Sequence, residues 1–268
     1  MKDARTYYDD FSTTYDRARL KGGTYHAHLD DLEAAAVRRW CRGERVLEVG
    51  CGTGQIMTRV RRFAPRAVGI DLSGGMLREA KARGLAVAQA SATALPFHDR
   101  SFDVVFSFKV LPHIEALDTA LAEVERVLDE GGVALLEFYN PMSLRGLWKK
   151  IRWWTVPVGA ASHDRQVYTS YHSPAEARAA VGGMLEVCGA HGIVILTPHS
   201  AAHRAPIAGA ALRWLERRLD RSPLARWAGF YVVVARKRPA AAARARSGAG
   251  AGSSGAGAGR SGAAPESA

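Results

Sequence analysis

"VLEVGCGTGQ", Val46 to Gln55, is the stretch on which the fold turns. A short apolar run ends in three glycines, Gly50, Gly52 and Gly54, within five residues. A strand that passes through a glycine loop into a helix brings its backbone against a ligand. The spacing is GxGxG. The dinucleotide fingerprint GxGxxG wants its third glycine at position 55, which here is Gln55. One carboxylate, Glu48, lies inside the apolar run. Burying it costs several kcal/mol unless a cation or hydrogen-bond donors compensate, and a bound pyrophosphate would add like-charge repulsion. Two readings of Glu48 stand at this point: a carboxylate aimed at a cationic ligand, or one paired with a neighbour such as Arg45 or a backbone amide.

On either side of the loop, β-rich runs alternate with helix-patterned segments, the signature of a parallel sheet covered by helices. The candidate strands are 45–49, 67–71, 85–90, 102–108, 132–139, 187–196 with an internal break, and 230–237. "LDTALAEVERVLDEGG" puts Leu117, Leu121, Val124 and Leu128 on one helical face, with Gly131 as its stop. Ser173-Pro174 with Glu176 reads as a helix start. The pattern gives an α/β fold with about seven strands in one doubly wound domain. Residues 1–40 form an N-terminal helical cap segment and residues 41–238 the sheet domain. Insertions at 141–172, after strand five, and at 198–228, near the C-terminus, cap one end of the sheet. Residues 239–268, made of Ala, Gly, Ser and a few Arg, read as a disordered tail.

The net charge of +11 would point to nucleic acid if it were spread over the fold. It is concentrated instead: residues 1–203 hold 25 Lys+Arg against 23 Asp+Glu, and residues 204–268 hold 12 against 3. The three cysteines lack CxxC spacing, so neither a disulfide framework nor a metal site is signalled. The polar N-terminus is no secretory signal, and no apolar run of about 18 residues occurs, which makes a cytoplasmic location the expectation.

Asp71 closes the second candidate strand about twenty residues after the loop, where an acid accepts hydrogen bonds from ribose hydroxyls. A nucleoside that also carries positive charge would satisfy both acids, and S-adenosylmethionine has a sulfonium and an α-ammonium beside its adenosine. "VLEVGCGTGQ", "GIDLSGGMLREAKAR", "ALPFHDRSFDVVFSFKVLPHI" and "ALAEVERVLDEGGVALLEF", in this order over residues 44–138, resemble the class I S-adenosylmethionine-dependent methyltransferases. The resemblance is strongest to the methyltransferase type 11 group, which contains the ubiquinone and menaquinone biosynthesis enzymes. It implies a Rossmann-like sheet, mostly parallel, with helices on both faces. It also implies that Gly50, Cys51, Gly52 and Gly54 line the methionine part of the cofactor, with Glu48 toward its charged end and Asp71 on the ribose. Leu72 would pack on adenine, and Ser91 and Ala92 would reach the adenine edge, although Ser91 stands where the family usually has Asp. Phe108 and Lys109 would border the transfer site. "YYDDFSTTYDRA" looks like the family's N-terminal helix, whose aromatics, here Tyr7 and Tyr15, close over the cofactor; packing of an amphipathic helix explains them as well.

The activity implied is methyl transfer to a small molecule, with O- or C-methylation favoured. His113 is the best-placed base, or else it shapes the helix that follows; His163 and His172 are weaker candidates. "RGLWKKIRWW" within 145–158 reads as a lid over an apolar or aromatic substrate, as an interfacial helix on acidic lipid, or as a stacking surface for RNA. No nucleic-acid partner is expected, because the body is almost neutral. The competing functions are a cofactor-binding scaffold without turnover and an NAD(P)-dependent oxidoreductase.

Overall fold

The structure, a computed structural model, describes residues 4–21, 24–41, 45–144, 146–147, 167–197, 202–203 and 205–239. The body runs from Met1 to Lys237. The second unit, Arg238–Ala268, has only Arg238 and Pro239 described, so the tail and most of 145–158, including Trp148, Trp153 and Trp154, lie outside the described residues, as does His163.

Seven strands form one sheet: β1 (Val46–Val49), β2 (Val68–Asp71), β3 (Val87–Gln89), β4 (Phe102–Ser107), β5 (Leu128–Tyr139), β6 (Glu186–Ile193) and β7 (Phe230–Arg236). Their order is β3-β2-β1-β4-β5-β7-β6. The first five pair in parallel, and β7 runs antiparallel to both neighbours. The helices are α1 (Ala4–Lys21), α2 (Thr24–Trp40), α3 (Gln55–Val60), α4 (Gly74–Ala82), α5 (Leu117–Val127), α6 (Pro174–Met184) and α7 (Pro206–Leu219). The chain is therefore the expected α/β fold, a mostly parallel sheet of seven strands with helices on both faces.

Strand alternation divides the core. Val46, Val104, Phe106, Val133 and Leu135 face α2, against its stripe Leu29, Leu32, Ala36 and Val37. Leu47, Val49, Val105, Ala134 and Leu136 face the other way, against Leu121 and Val124 of α5 and Ala177 and Val181 of α6. The same period of two carries Glu48 to the face of Val46 and Glu137 to that of Leu135, so both carboxyls turn toward α2.

Helix α5 ends at Val127, four residues before the glycine that the sequence suggested as its stop. Leu128 already has extended backbone and pairs with Phe102, Asp129 binds Arg45 at 2.5 Å, and the Lys237 Nζ donates to the carbonyls of Glu125 and Leu128 at 2.7 and 3.0 Å. That ammonium satisfies carbonyls a helix end leaves unpaired and favours the negative pole of its dipole. Gly131 instead takes a left-handed φ of +72° within β5. Likewise β6 stops at Ile193 rather than running on to residue 196, because Val194 turns to φ +62°. The Glu216 carboxylate of α7 then accepts from the backbone N–H groups of Ile195, Leu196 and Thr197 at 2.8, 2.9 and 2.9 Å. The start of α6 is as the sequence indicated: Ser173 and Glu176 form a reciprocal capping box, with Pro174 in the first turn.

Candidate functional site

The loop after β1 leaves the strand through three left-handed glycines: Gly50 at φ +79°, Gly52 at +52° and Gly54 at +80°. Their surroundings separate their jobs. A Cβ on Gly50 would lie 2.1 Å from Val110, and one on Gly54 2.0 Å from Leu85. A Cβ on Gly52 would meet no protein atom within 4 Å, because the space beside it belongs to a cavity.

That cavity has a volume of about 330 Å³ and lies at the carboxyl ends of the parallel strands. It is lined by Glu48, Gly50, Cys51, Gly52, Asp71, Leu72, Ser91, Ala92 and Phe108, and also by His113, Tyr7 and Tyr15. Residues 40 or more apart in sequence are thus brought together as the motifs suggested. Gly54 is the exception: it does not line the cavity but holds the start of α3 close to Leu85. Cys51 turns its thiol into a small apolar cluster with Met57 and Leu77. Of the weaker histidine candidates, His172 packs edge-on against Phe138 rather than lining the cavity.

Glu48 is 3% exposed, and its Oε2 has no hydrogen-bond partner. Arg45 does not reach it, being engaged with Asp103 and Asp129. Burial, then the nearby carboxyls of Glu33 and Asp71, push the Glu48 pKa well above the ordinary carboxyl range. Such a group gains from a cation placed in the cavity. Asp71 uses both carboxylate oxygens to fix the loop: Oδ2 accepts from Gly52 N and Oδ1 from Ser73 N, each at 2.8 Å. Burial raises its pKa, against these two bonds. Each oxygen keeps a lone pair, so Asp71 can also accept from a ligand. Ser91 accepts from the Thr93 backbone N–H at 3.2 Å and shares a 2.7 Å hydroxyl contact with Thr93 Oγ1.

Helix α1 covers the cavity with Tyr7, Tyr8, Phe11 and Tyr15. Two carboxylates latch it. Asp9 accepts from Ser73 Oγ at 2.6 Å and from Gly75 N at 2.8 Å, and these two bonds lower its pKa. Gly75 is required there, since a Cβ would lie 2.6 Å from Ser12 Oγ. Asp16 accepts from Thr53 Oγ1 at 2.9 Å and Gln55 Nε2 at 3.0 Å and pairs with Arg83. The residue that breaks the dinucleotide fingerprint is therefore a clamp on the covering helix.

Beside Glu48 lies a charge cluster that the sequence reading missed. Lys109 ends β4 in a left-handed conformation, φ +62°. Its Nζ stands 2.5 Å from the fully buried Glu33 of α2, and its backbone N–H donates to the fully buried Glu137 at 3.0 Å. Burial opposes the ammonium, but Glu33 and Glu137 outweigh it and raise its pKa. Burial pushes the Glu137 carboxyl up. Both acids were visible as anomalies: Glu33 stands in the i, i+4 stripe Leu29–Glu33–Val37, and Glu137 in "ALLEFY".

His113 occupies a 3-10 turn after β4. Its Nδ1 lies 2.9 Å from the Tyr168 carbonyl oxygen, which can only accept, so this nitrogen carries the proton of the neutral ring. Nε2 is left as the acceptor, 3.4 Å from the Tyr139 hydroxyl. Tyr8 and Tyr139 both pack edge-on against the ring. Tyr139 and Val167 complete this end of the cavity.

Residues 47–136 match the methyltransferase domain family. Over these residues the chain carries a methyltransferase domain of the class I S-adenosylmethionine-dependent type. Among curated relatives, this chain is similar to the demethylmenaquinone methyltransferase of Renibacterium salmoninarum, 34% identical over 146 residues, which is 50% of this chain and 60% of the relative. It is similar too to the malonyl-[acyl-carrier protein] O-methyltransferase of Erwinia billingiae, 34% identical over 120 residues, 44% of this chain and 47% of the relative. The chain thus spans only about half the length of the curated relatives it matches. The solved S-adenosylmethionine-dependent methyltransferase of Thermotoga maritima, described as a possible histamine N-methyltransferase, superposes with a TM-score of 0.63 over 87% of this chain and 99% of its own. At 19% identity that likeness speaks for the fold alone.

Proposed function

We propose that this chain binds S-adenosylmethionine and transfers its methyl group to a small apolar or aromatic acceptor, at oxygen or carbon. The observation that carries the reading is the buried Glu48 oxygen without a partner at the cavity wall, with Asp71 in the same lining and an open cradle at Gly52. These residues fit a cofactor with a cationic end and a ribose: Glu48 toward the charge, Asp71 to the hydroxyls, Leu72, Ser91 and Ala92 along the adenine.

S-adenosylmethionine, when bound, supplies a methyl group on a sulfonium, a leaving group already installed. The protein then has to align the acceptor, keep water out and take up a proton where the acceptor holds one. Tyr8, Phe11 and Tyr139 give the remaining wall an aromatic surface. His113 has the tautomer of a base: Nδ1–H is held by the Tyr168 carbonyl, so Nε2 can accept a proton from a hydroxyl or an acidic C–H. The curated relatives act, by name, on a demethylmenaquinone and on a malonyl-[acyl-carrier protein], so their names do not fix one acceptor, which is read instead from this chain's own wall.

Calorimetry with S-adenosylhomocysteine and with NAD, followed by transfer of labelled methyl groups to a panel of phenols, quinols and carboxylic acids, tests the reading. Binding of the first ligand with turnover of an aromatic hydroxyl or ring carbon is the expected result. Binding of NAD alone would overturn the cofactor, and cofactor binding without turnover across the panel would leave a scaffold.

A further inference from the structure

Helix α7 is amphipathic in the reverse sense. A surface helix normally turns its apolar stripe to the core and its polar face to water. Here the two buried residues are Gly209 and Glu216, one small and one charged. Gly209 lets the helix lie against the chain at His203, where a Cβ would approach the carbonyl oxygen to 2.7 Å. Glu216 is pinned by the three backbone N–H groups after β6 and by Thr197 Oγ1 at 2.8 Å. Fixed at these two points, i and i+7, the helix presents Ile207, Ala211, Trp214 and Arg218 outward at i, i+4, i+7 and i+11. Ile207 is 88% and Trp214 57% exposed.

The charges around this stripe have one sign. Arg217 and Arg218 are exposed on the helix, and Arg221 and Arg226 follow on the same segment. Of the two carboxylates on it, Glu216 is buried and Asp220 pairs with Arg39 at 3.2 Å. The 3-10 turn Pro223–Trp227 adds Leu224, 40% exposed. Asn140 ties that turn to the end of β5 by donating to the carbonyls of Arg226 and Ala228 at 2.9 Å, and just beyond it Met142 and Leu147 are exposed as well. All of this stands at the carboxyl end of the parallel strands, the end at which the cavity lies.

We propose that the outward face of α7 is a docking surface for an anionic lipid bilayer. Apolar and tryptophan side chains on one stripe, with arginines as the exposed charges among the described residues of this segment, match the headgroup and acyl boundary of such a surface. A second copy fits less well, because a two-fold interface would set the same arginines against each other. The arginines supply selectivity for anionic lipid, at about fivefold in partitioning for each one brought near the surface.

The test is co-sedimentation of the full chain with vesicles of pure phosphatidylcholine and of equimolar phosphatidylcholine and phosphatidylglycerol, at low and high salt. The wild type should partition at least about tenfold more strongly onto the anionic vesicles, and salt should weaken this. Ile207→Ser with Trp214→Ser removes no charge and touches only exposed side chains. It should lose at least about tenfold in binding with an unchanged melting temperature. Arg217→Gln with Arg218→Gln should lose a similar factor on anionic vesicles only. Absence of wild-type binding overturns the proposal, as does full binding by the Ile207/Trp214 variant, which would assign the attraction to the basic residues elsewhere in 204–268. A self-association of the wild type that the serine variant abolishes, or binding to RNA lost in the same variant while vesicles are ignored, would assign the face to those partners instead.

Discussion

Replacing Glu48 by Gln should move cofactor affinity and stability of the free protein in different directions. The carboxyl is 3% exposed, one oxygen has no partner, and its pKa is raised by burial and by Glu33 and Asp71. In the free protein the folded pKa lies above the unfolded one, so stability falls as pH rises between the two, by about 1.4 kcal/mol per pH unit. Gln keeps the shape without that penalty, and the variant should be as stable as the wild type at acid pH and no less stable at pH above neutrality. Cofactor binding reverses the sign, because a cationic ligand selects the carboxylate. Loss of one charged contact is worth about 1.5–3 kcal/mol, a factor of roughly 10 to 150 in Kd. Wild-type affinity should climb by up to about tenfold per pH unit until the raised pKa is passed, with a proton released on binding, whereas the Gln variant should show neither effect. Titration calorimetry in buffers of different ionisation enthalpy reads both, and urea melts of the free proteins read stability. Equal affinity of the two proteins across the pH range would refute the assignment of Glu48 to the cationic end. A large destabilisation of the Gln variant would refute the claim that the carboxyl is uncompensated in the free state.

Asp71→Ala should weaken S-adenosylhomocysteine by about 1–3 kcal/mol in calorimetry, through lost ribose bonds and a loosened Gly52 loop; unchanged affinity would sink the ribose role. Gly52→Ala should weaken the cofactor while lowering stability by only about 1–2 kcal/mol, the left-handed penalty, whereas Gly50→Ala should also clash with Val110 and cost more in a urea melt. His113→Gln should lower kcat for a hydroxyl acceptor by about 100-fold or more with cofactor Kd unchanged; a shift in Kd alone would mark a structural role. His28 is pulled down to about 4 from an ordinary 6.5 by burial first and then by His203, Arg217 and Arg213. Its contribution is therefore complete above pH 6.5 and is lost as pH falls toward 4, by up to about 3 kcal/mol; His28→Leu should flatten that part of a stability profile measured by urea melts.

The sheet was legible because its signals are local and repeated. Val/Leu runs of strand length recur between helix starts such as Ser173-Pro174, and each reports its own element. The ends were less legible, since tertiary partners decide them. Nothing near Val127 announces that Lys237, 110 residues later, will cap α5, and nothing near Ile193 announces that Glu216 will hold the turn after it. The place of Glu48, Gly52 and Asp71 in the cavity lining could be read because the chain puts them within a single strand–loop–helix–strand unit. The clamps that Asp9 and Asp16 make on α1 could not be read, because their partners Ser73, Thr53, Gln55 and Arg83 are 37 to 67 residues away. Arg45 was the local candidate to pair with Glu48, but period-two alternation carries the Glu48 side chain toward α2, while Arg45 reaches Asp103 and Asp129.

The charge cluster and the glycine loop bear on one question, which is why a fold would keep Glu33, Glu48 and Glu137 buried around a single ammonium, Lys109. In the free protein this arrangement is short of positive charge, and the raised carboxyl pKa values follow from that shortage. A cationic ligand in the cavity would supply the missing charge at Glu48, whose Oε2 has no hydrogen-bond partner. The positive φ of Lys109 fits the same account. Backbone strain persists where surroundings over-determine it, and here the Lys109 N–H is held by Glu137 while its Nζ is held by Glu33. Those two contacts commit the lysine to Glu33 and Glu137, so that Glu48 would be open to a ligand. If that division holds, Lys109→Met should destabilise the free protein, by leaving Glu33 and Glu137 without their shared cation. It should also cost less in cofactor affinity than Glu48→Gln, and the opposite ranking would mean that the lysine, not the glutamate, sets the electrostatics of the site.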